Sequence, residues 1–146
     1  MHKAIFAAGC FWGVEHKFMQ LAGILKTQVG YIGGSLDNPS YEQVCTGATG
    51  HAEAIEINYD PAKISYSQLL DCFFSIHDPT QLNRQGVDIG TQYRSEIFYL
   101  NKQQKQLAAE YIANHKLKKQ IVTRVSEATK FYPAEEYHQK YIQKKL

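Results

Sequence analysis

A chain of 146 residues, 44% apolar and 21% charged, has the make-up of one soluble globular domain, residues 1–146, with a substantial core. A formal net charge of +2 is too small to argue for nucleic acid. The lysines gather at Lys116, Lys118 and Lys119 and at Lys144-Lys145, where a solvated helix face accounts for them. No apolar run reaches membrane length, and Met1-His2-Lys3 leads straight into a predicted strand without room for a signal peptide, so a cytoplasmic location is expected.

Lys3 to Ala8 reads as a first strand, apolar on both faces and therefore central in its sheet. Gly9-Cys10-Phe11-Trp12-Gly13 follows, then a helix from Gly13 to Gln20, with Val14, Phe18, Leu21 and Ala22 at helical spacing and Gly23 as its C-cap. Cys10 thus falls where a strand ends and a helix begins. Amide N–H groups and the positive end of the helix dipole collect there, and both favour a thiolate. The flanking glycines allow a tight turn and close approach by another molecule. This pattern fits a reactive thiol; it also fits a small cysteine buried in an aromatic core. Cys10, Cys45 and Cys72 form an odd set with no C-x-x-C, which argues against a disulfide framework or a zinc site.

Ile24 to Ile32 is the second predicted strand, ending in Gly33-Gly34 with Tyr31 just before the pair. Asp37-Asn38-Pro39-Ser40 is turn chemistry and supplies an N-cap for a short helix, Tyr41 to Val44. A glycine-bearing loop from Cys45 to His51 feeds a third strand, Ala52 to Tyr59. Period-2 counting puts Glu53 on one face with Ile55, Ile57 and Tyr59. A carboxyl group there is desolvated and stays protonated near neutrality. The competing expectation is an ordinary strand-end carboxylate that caps the loop or pairs with Arg94.

Ser65 or Ser67 caps the next helix, whose buried face carries Leu69, Cys72, Phe73 and Ile76, so Cys72 is expected in the core. His77-Asp78-Pro79-Thr80 ends it. A long polar loop, Gln81 to Gln92, contains Asp88 and Gly90, and loops of that length inside a compact domain are usually functional. Then come a strand from Ser95 to Leu100, an amphipathic helix from Lys102 to Lys116, a strand from Ile121 to Glu127, and a last helix from Ala134 to Gln143. The order β-α-β-β-α-β with an α-β-α tail predicts a two-layer α/β sandwich with a ferredoxin-like core and a mixed sheet.

Several separate segments together carry a resemblance. Gly9-Cys10-Phe11-Trp12-Gly13 resembles the signature of the A-type peptide methionine sulfoxide reductases. Val29-Gly30-Tyr31 with Gly33-Gly34, Tyr41-Glu42-Gln43-Val44-Cys45, Thr49-Gly50-His51-Ala52-Glu53, His77-Asp78-Pro79-Thr80, and Asp88 with Gly90-Thr91-Gln92-Tyr93-Arg94-Ser95 agree with it in order and spacing. The likeness runs through residues 3 to 140. It implies that Cys10 attacks the sulfur of a methionine S-sulfoxide, giving methionine and a sulfenic acid. It further implies that Phe11 and Trp12 hold the methyl group, that Glu53, Tyr31 and Tyr93 hydrogen-bond the oxygen with Glu53 as proton donor, and that Asp88 and His51 help to bind substrate. The substrates it implies are oxidised proteins, peptides and free methionine sulfoxide. No bound cofactor or metal is expected, only an external thiol reductant: thioredoxin, glutaredoxin or glutathione. A monomer is expected.

The chemistry asks for the same set. A sulfoxide oxygen leaves poorly until it is protonated, so a neutral acid must sit on it. Phenols stabilise negative charge growing on oxygen, and an aromatic wall suits an S-methyl group. The chain departs from the pattern in one respect that matters: many relatives carry C-terminal cysteines that resolve the sulfenic acid, and here no cysteine follows Cys72. Cys45 is then a possible resolving thiol, with an external thiol as the expected one. Val87, before Asp88, replaces a residue that is usually polar. Two other functions are compatible with a reactive cysteine at this position. A thiol peroxidase has no use for a methyl pocket, and an acyl transferase needs a histidine base near Cys10, for which His51 is the loop candidate. A non-catalytic ferredoxin-like binding module would leave Cys10 inert.

Overall fold

The computed structural model describes residues 2–115 and 120–146, so the lysine cluster at 116, 118 and 119 lies outside the described residues. Along the chain come β1 (His2–Ala8), α1 (Phe11–Met19), β2 (Ile24–Ile32), α2 (Tyr41–Cys45), β3 (Ala52–Tyr59) and α3 (Tyr66–Ser75). A small hairpin, β4 (Arg84–Gln85) and β5 (Asp88–Ile89), precedes β6 (Ser95–Tyr99) and α4 (Lys102–Asn114). β7 (Arg124–Glu127), β8 (Tyr132–Pro133) and α5 (Tyr141–Lys145) complete the chain.

The main sheet runs in the order β7-β6-β1-β3-β2-β8. Its four middle strands are mutually antiparallel, with β1 paired to both β3 and β6 and β2 paired to β3. That is the ferredoxin-like arrangement the element order predicted. β7 adds parallel to β6 after the α4 crossover, and β8 adds antiparallel to β2, which makes the sheet mixed.

β1 is central because both its faces are apolar: Ala4, Phe6 and Ala8 join the core under the helices, while Ile5 and Ala7 join a smaller cluster on the other side. Phe6 anchors the helical side, with ring centroids 5.5 Å from Phe18 of α1 and 5.2 Å from Phe73 of α3. Such a ring contributes roughly 1.5–3 kcal/mol by burial, and truncating it to alanine costs about 3–5 kcal/mol. The short helices begin where side chains satisfy their first amides. Ser40 and Ser65 each form a full capping box, with Gln43 and Gln68, so Ser65 rather than Ser67 caps α3.

The tail differs from its predicted form. In place of one helix from 134 to 143 there is a 3-10 turn, Glu136–His138, then Lys140 with a left-handed backbone (φ 53°), then α5. Buried side chains hold this break. Glu15 Oε1 accepts the Lys140 amide at 2.6 Å, and Gln139 bonds both the N–H and the C=O of Val29, each at 2.9 Å. Long-range hydrogen bonds to α1 and β2 outweigh a local helical preference. The Gln81–Gln92 loop is likewise more ordered than expected, since it contains the β4–β5 hairpin and a 3-10 turn over Thr91–Tyr93.

Candidate active site

β1 delivers the chain to Gly9, whose φ of +99° and close neighbour Gln85 leave no room for a side chain: a Cβ there would sit 2.9 Å from the Gln85 side chain. Cys10 follows as the N-cap of α1, which starts at Phe11, two residues earlier than the periodicity indicated. The thiol is half-buried. Burial pushes it up from 9.0 to about 11; the Trp12 amide opposes this, the charges of Glu53 and Asp88 reinforce it, and the Gly13 amide opposes it. The expected thiolate is therefore a thiol in the substrate-free site. Desolvation beside two carboxyl groups outweighs the helix terminus.

Glu53 lies opposite Tyr31 in the β2–β3 pairing, on the same face as Ile55 and Ile57, and is only 1% exposed. Its Oε1 accepts the Phe11 amide at 3.1 Å, while its Oε2 is buried without a hydrogen-bond partner. Burial raises the carboxyl from 4.5 to about 7, against the Phe11 amide and with help from the Asp88 charge. The competing expectation of a pair with Arg94 does not hold. Arg94 Nε reaches Glu96 Oε1 at 2.6 Å, and Glu96 belongs to the opposite face of the sheet, beside Phe98.

An aromatic box forms around Phe11 and Trp12, the two residues that follow the thiol. Phe11 is buried with ring centroids 5.7 Å from Tyr31, 6.4 Å from Tyr41 and 5.2 Å from His138. Trp12 stacks on Tyr141 at 3.9 Å and donates from Nε1 to His138 Nδ1 at 2.9 Å, which puts the single N–H proton of a neutral His138 on Nε2. Glu135 braces the box from behind, accepting the Tyr31 hydroxyl on Oε1 and the Tyr41 amide on Oε2, both at 2.9 Å.

Two further site candidates have their polar atoms engaged within the protein. The Tyr31 hydroxyl donates to Glu135, so Tyr31 forms a wall of the box with its donor engaged. His51 is buried with both ring nitrogens in use: Nδ1 accepts the Gly34 amide at 3.0 Å and Nε2 donates to the Leu36 carbonyl at 2.7 Å. It pins the Gly34–Leu36 turn.

Tyr93, half-buried, carries a hydroxyl pushed up to about 12 by burial and then by the charges of Glu53, Cys45, Asp88 and Cys10, all of which therefore lie around it. Tyr41 shares this neighbourhood: burial raises its hydroxyl most, followed by its hydrogen bond to Cys45 and the charges of Cys45, Glu53 and Tyr93. Sequence reasoning used Tyr41 only as part of a motif. Nothing local marked it, or Glu135 and His138, as belonging to the site. Asp88, at the start of β5, acts electrostatically on Cys10, Glu53 and Tyr93. Cys45 is exposed at the end of α2, and Cys72 is half-buried at the rim of the core. Among the described residues no cluster of three or more His, Cys, Asp or Glu side chains is placed to hold a metal ion, and no described helix is long and apolar enough to cross a membrane.

A thiol at a helix start, facing an unpaired acid that still holds its proton near neutrality and walled by aromatic rings, is the site of a thiol-dependent enzyme that must protonate what it attacks. The family model for peptide methionine sulfoxide reductase matches residues 2–146, and the chain belongs to that family. It is 54% identical over 146 residues to the peptide methionine sulfoxide reductase MsrA of Methanothermobacter thermautotrophicus, with 97% of this chain and 86% of the relative covered. Among solved structures it resembles reduced Mxr1 of Saccharomyces cerevisiae, with a TM-score of 0.89, 38% identity, and 98% and 84% of the two chains covered. Mxr1 in complex with Trx2 is also similar, with a TM-score of 0.64, 25% identity, and 96% and 84% covered.

Proposed function

We propose that this chain reduces the S epimer of methionine sulfoxide, free or within a polypeptide, with Cys10 as nucleophile and Glu53 as proton donor. The observation that carries the reading is the Oε2 atom of Glu53. It is a buried oxygen with no partner, on a carboxyl group that ionises only at about 7. Buried polar atoms rarely go unpaired, and a sulfoxide oxygen is the partner that would complete this one.

Glu53 gives its proton to the sulfoxide oxygen as the Cys10 sulfur attacks the methionine sulfur. The oxygen ends on Cys10, so methionine sulfoxide plus Cys10–SH becomes methionine plus Cys10–SOH. Sulfur in the substrate gains two electrons and the cysteine sulfur loses two. Glu53, now a carboxylate, takes up the thiol proton. Tyr93 donates a hydrogen bond to the oxygen, Phe11 and Trp12 receive the methyl group, and Asp88 orients the substrate backbone. The Cys10 sulfenic acid is then reduced by an external thiol, as with thioredoxin, glutaredoxin or glutathione. The yeast relative solved with Trx2 supports thioredoxin. The domain works as a monomer in the cytoplasm.

An acyl transferase would need a histidine base, and His51, the loop candidate, is engaged through both nitrogens. The test is NADPH consumption in the presence of thioredoxin, its reductase and each sulfoxide epimer separately. Turnover of the S epimer and not the R epimer is expected; equal turnover of both contradicts the assignment.

A further inference from the structure

Trp12 and Glu15, one turn apart on α1 and so on the same side of it, both hold the tail of the chain. Trp12 takes Tyr141 face to face, with ring centroids 3.9 Å apart and planes 10° from parallel. Glu15 accepts on Oε1 the amide of Lys140, the residue just before Tyr141, at 2.6 Å. Its Oε2 accepts the Thr27 hydroxyl of β2 at 2.8 Å, and Glu15 is only 1% exposed. A carboxyl group is therefore buried where α1, β2 and the tail meet. Burying one is costly unless both oxygens find donors, as they do here. The reaction proposed for Cys10 makes no use of it.

The tail depends on such an anchor. α5 has five residues, none of them buried, and its N-cap makes no side-chain hydrogen bond. A helix that short does not hold itself in water. Tyr141 is thus placed by the residues immediately before it. Gln139 grips the N–H and the C=O of Val29, each at 2.9 Å. Lys140 then turns the chain through a left-handed conformation, φ 53° and ψ 40°. A lysine rests there only when its neighbours are held on both sides. The bond from its amide to Glu15 fixes the direction in which Tyr141 leaves. His138 holds the edge of the Trp12 indole, while Tyr141 covers its face.

We infer that Glu15 is a positioning residue for Trp12: by holding the Lys140 amide it seats Tyr141 on the indole and so sets the wall that receives the substrate methyl group. The inference rests on the role proposed above for Trp12. Glu15 faces β2 and the tail and acts only through Tyr141. One methyl group in an apolar pocket is worth roughly 10–200-fold. That contact is made alike in the ground state and the transition state, so a displaced wall weakens substrate binding more than it slows the chemistry.

Trp12 is the only tryptophan in the chain, so its fluorescence reads the link directly. Glu15→Met keeps the bulk and accepts neither bond. Glu15→Asp keeps the carboxyl group but draws it back by one methylene. Glu15→Gln keeps an oxygen for the Lys140 amide and an NH₂ for Thr27. In the substrate-free protein, acrylamide should quench Trp12 more strongly in Glu15→Met and Glu15→Asp than in wild type, and Glu15→Gln should match wild type. In single turnovers without reductant, the substrate concentration at half-maximal rate should rise roughly tenfold in Glu15→Met and Glu15→Asp, with the limiting rate within about threefold of wild type. Glu15→Gln should restore it. Tyr141→Leu should give the same rise, and adding Glu15→Met to it should add nothing further. Quenching is read without turnover, so it tests the link to Trp12 independently of the reaction. Stronger quenching with an unchanged half-saturation would strike the methyl role of Trp12 and leave the link standing. Unchanged quenching, effects of the two substitutions that multiply, or a Glu15→Gln variant as impaired as Glu15→Met would overturn the role of Glu15.

Discussion

Arg94 and Glu96 form a buried pair, Nε to Oε1 at 2.6 Å, on the face of the sheet that turns away from Cys10. The pair keeps the cation away from Glu53, and a site acid can hold a proton near neutrality only where no guanidinium faces it. Glu96→Gln leaves Arg94 buried without its counter-ion and should cost about 3 kcal/mol in urea unfolding. A cost within 0.5 kcal/mol, the roughly usual spread of surface changes, would mean that the pair contributes little.

Cys10→Ser should abolish sulfoxide reduction with the fold intact, because a hydroxyl is a far weaker nucleophile. Glu53→Gln should slow methionine formation by roughly a hundredfold or more at neutral pH, with the deficit shrinking in acid. In the wild type, activity should fall as pH rises past about 7, where Glu53 loses its proton. Single-turnover rates across pH would show that limb, and its persistence in Glu53→Gln would remove Glu53 from the chemistry.

The same substitution should stabilise the protein in alkaline solution. Glu53 ionises at about 7 when folded and near 4.5 when exposed. Between those values the folded protein holds a proton that the unfolded chain has released, so stability falls as pH rises through the window. Glutamine has no proton to lose. Above the window Glu53→Gln should exceed wild type by roughly 3 kcal/mol, and below it the two should agree closely. Denaturant midpoints at both pH extremes decide the matter; equal differences at the two ends would contradict the raised pKa.

The tyrosines should separate by role. Tyr93→Phe removes a donor to the substrate oxygen and should lower kcat by about a hundredfold. Tyr31→Phe breaks the bond to Glu135 and should cost about 1 kcal/mol of stability with a smaller effect on rate. A Tyr31→Phe rate loss as large as that of Tyr93→Phe would return Tyr31 to the oxygen.

After one turnover without reductant, one methionine should appear per enzyme, dimedone should label Cys10, and free thiols should fall from three to two. Cys72 lies at the rim of the core on α3, and Cys45, though exposed, has its hydroxyl neighbour in Tyr41. A fall to one thiol, with a Cys10–Cys45 linkage in the peptide map, would show that Cys45 resolves the intermediate.

The sequence by itself determined the features that depend on near neighbours. Period-2 alternation placed Glu53 beside Ile55 and Ile57, continuous apolar residues made β1 central, and the Ser40 cap with its loop chemistry started α2 where it was expected. The motif around Cys10 singled out the candidate nucleophile and the aromatic residues next to it in the chain. Only the tertiary structure decided which of these polar groups are already engaged. The Tyr31 hydroxyl is taken by a residue 104 positions away and the Trp12 indole by one 126 positions away. It also decided that Cys10 rests as a thiol, since burial and the charges of Glu53 and Asp88 come from segments far along the chain. The tail broke at Lys140 for a similar reason, with Glu15 and Val29 holding it in place. A backbone period reports which face a side chain takes, and hydrogen-bond partners and local dielectric are set only when distant segments meet.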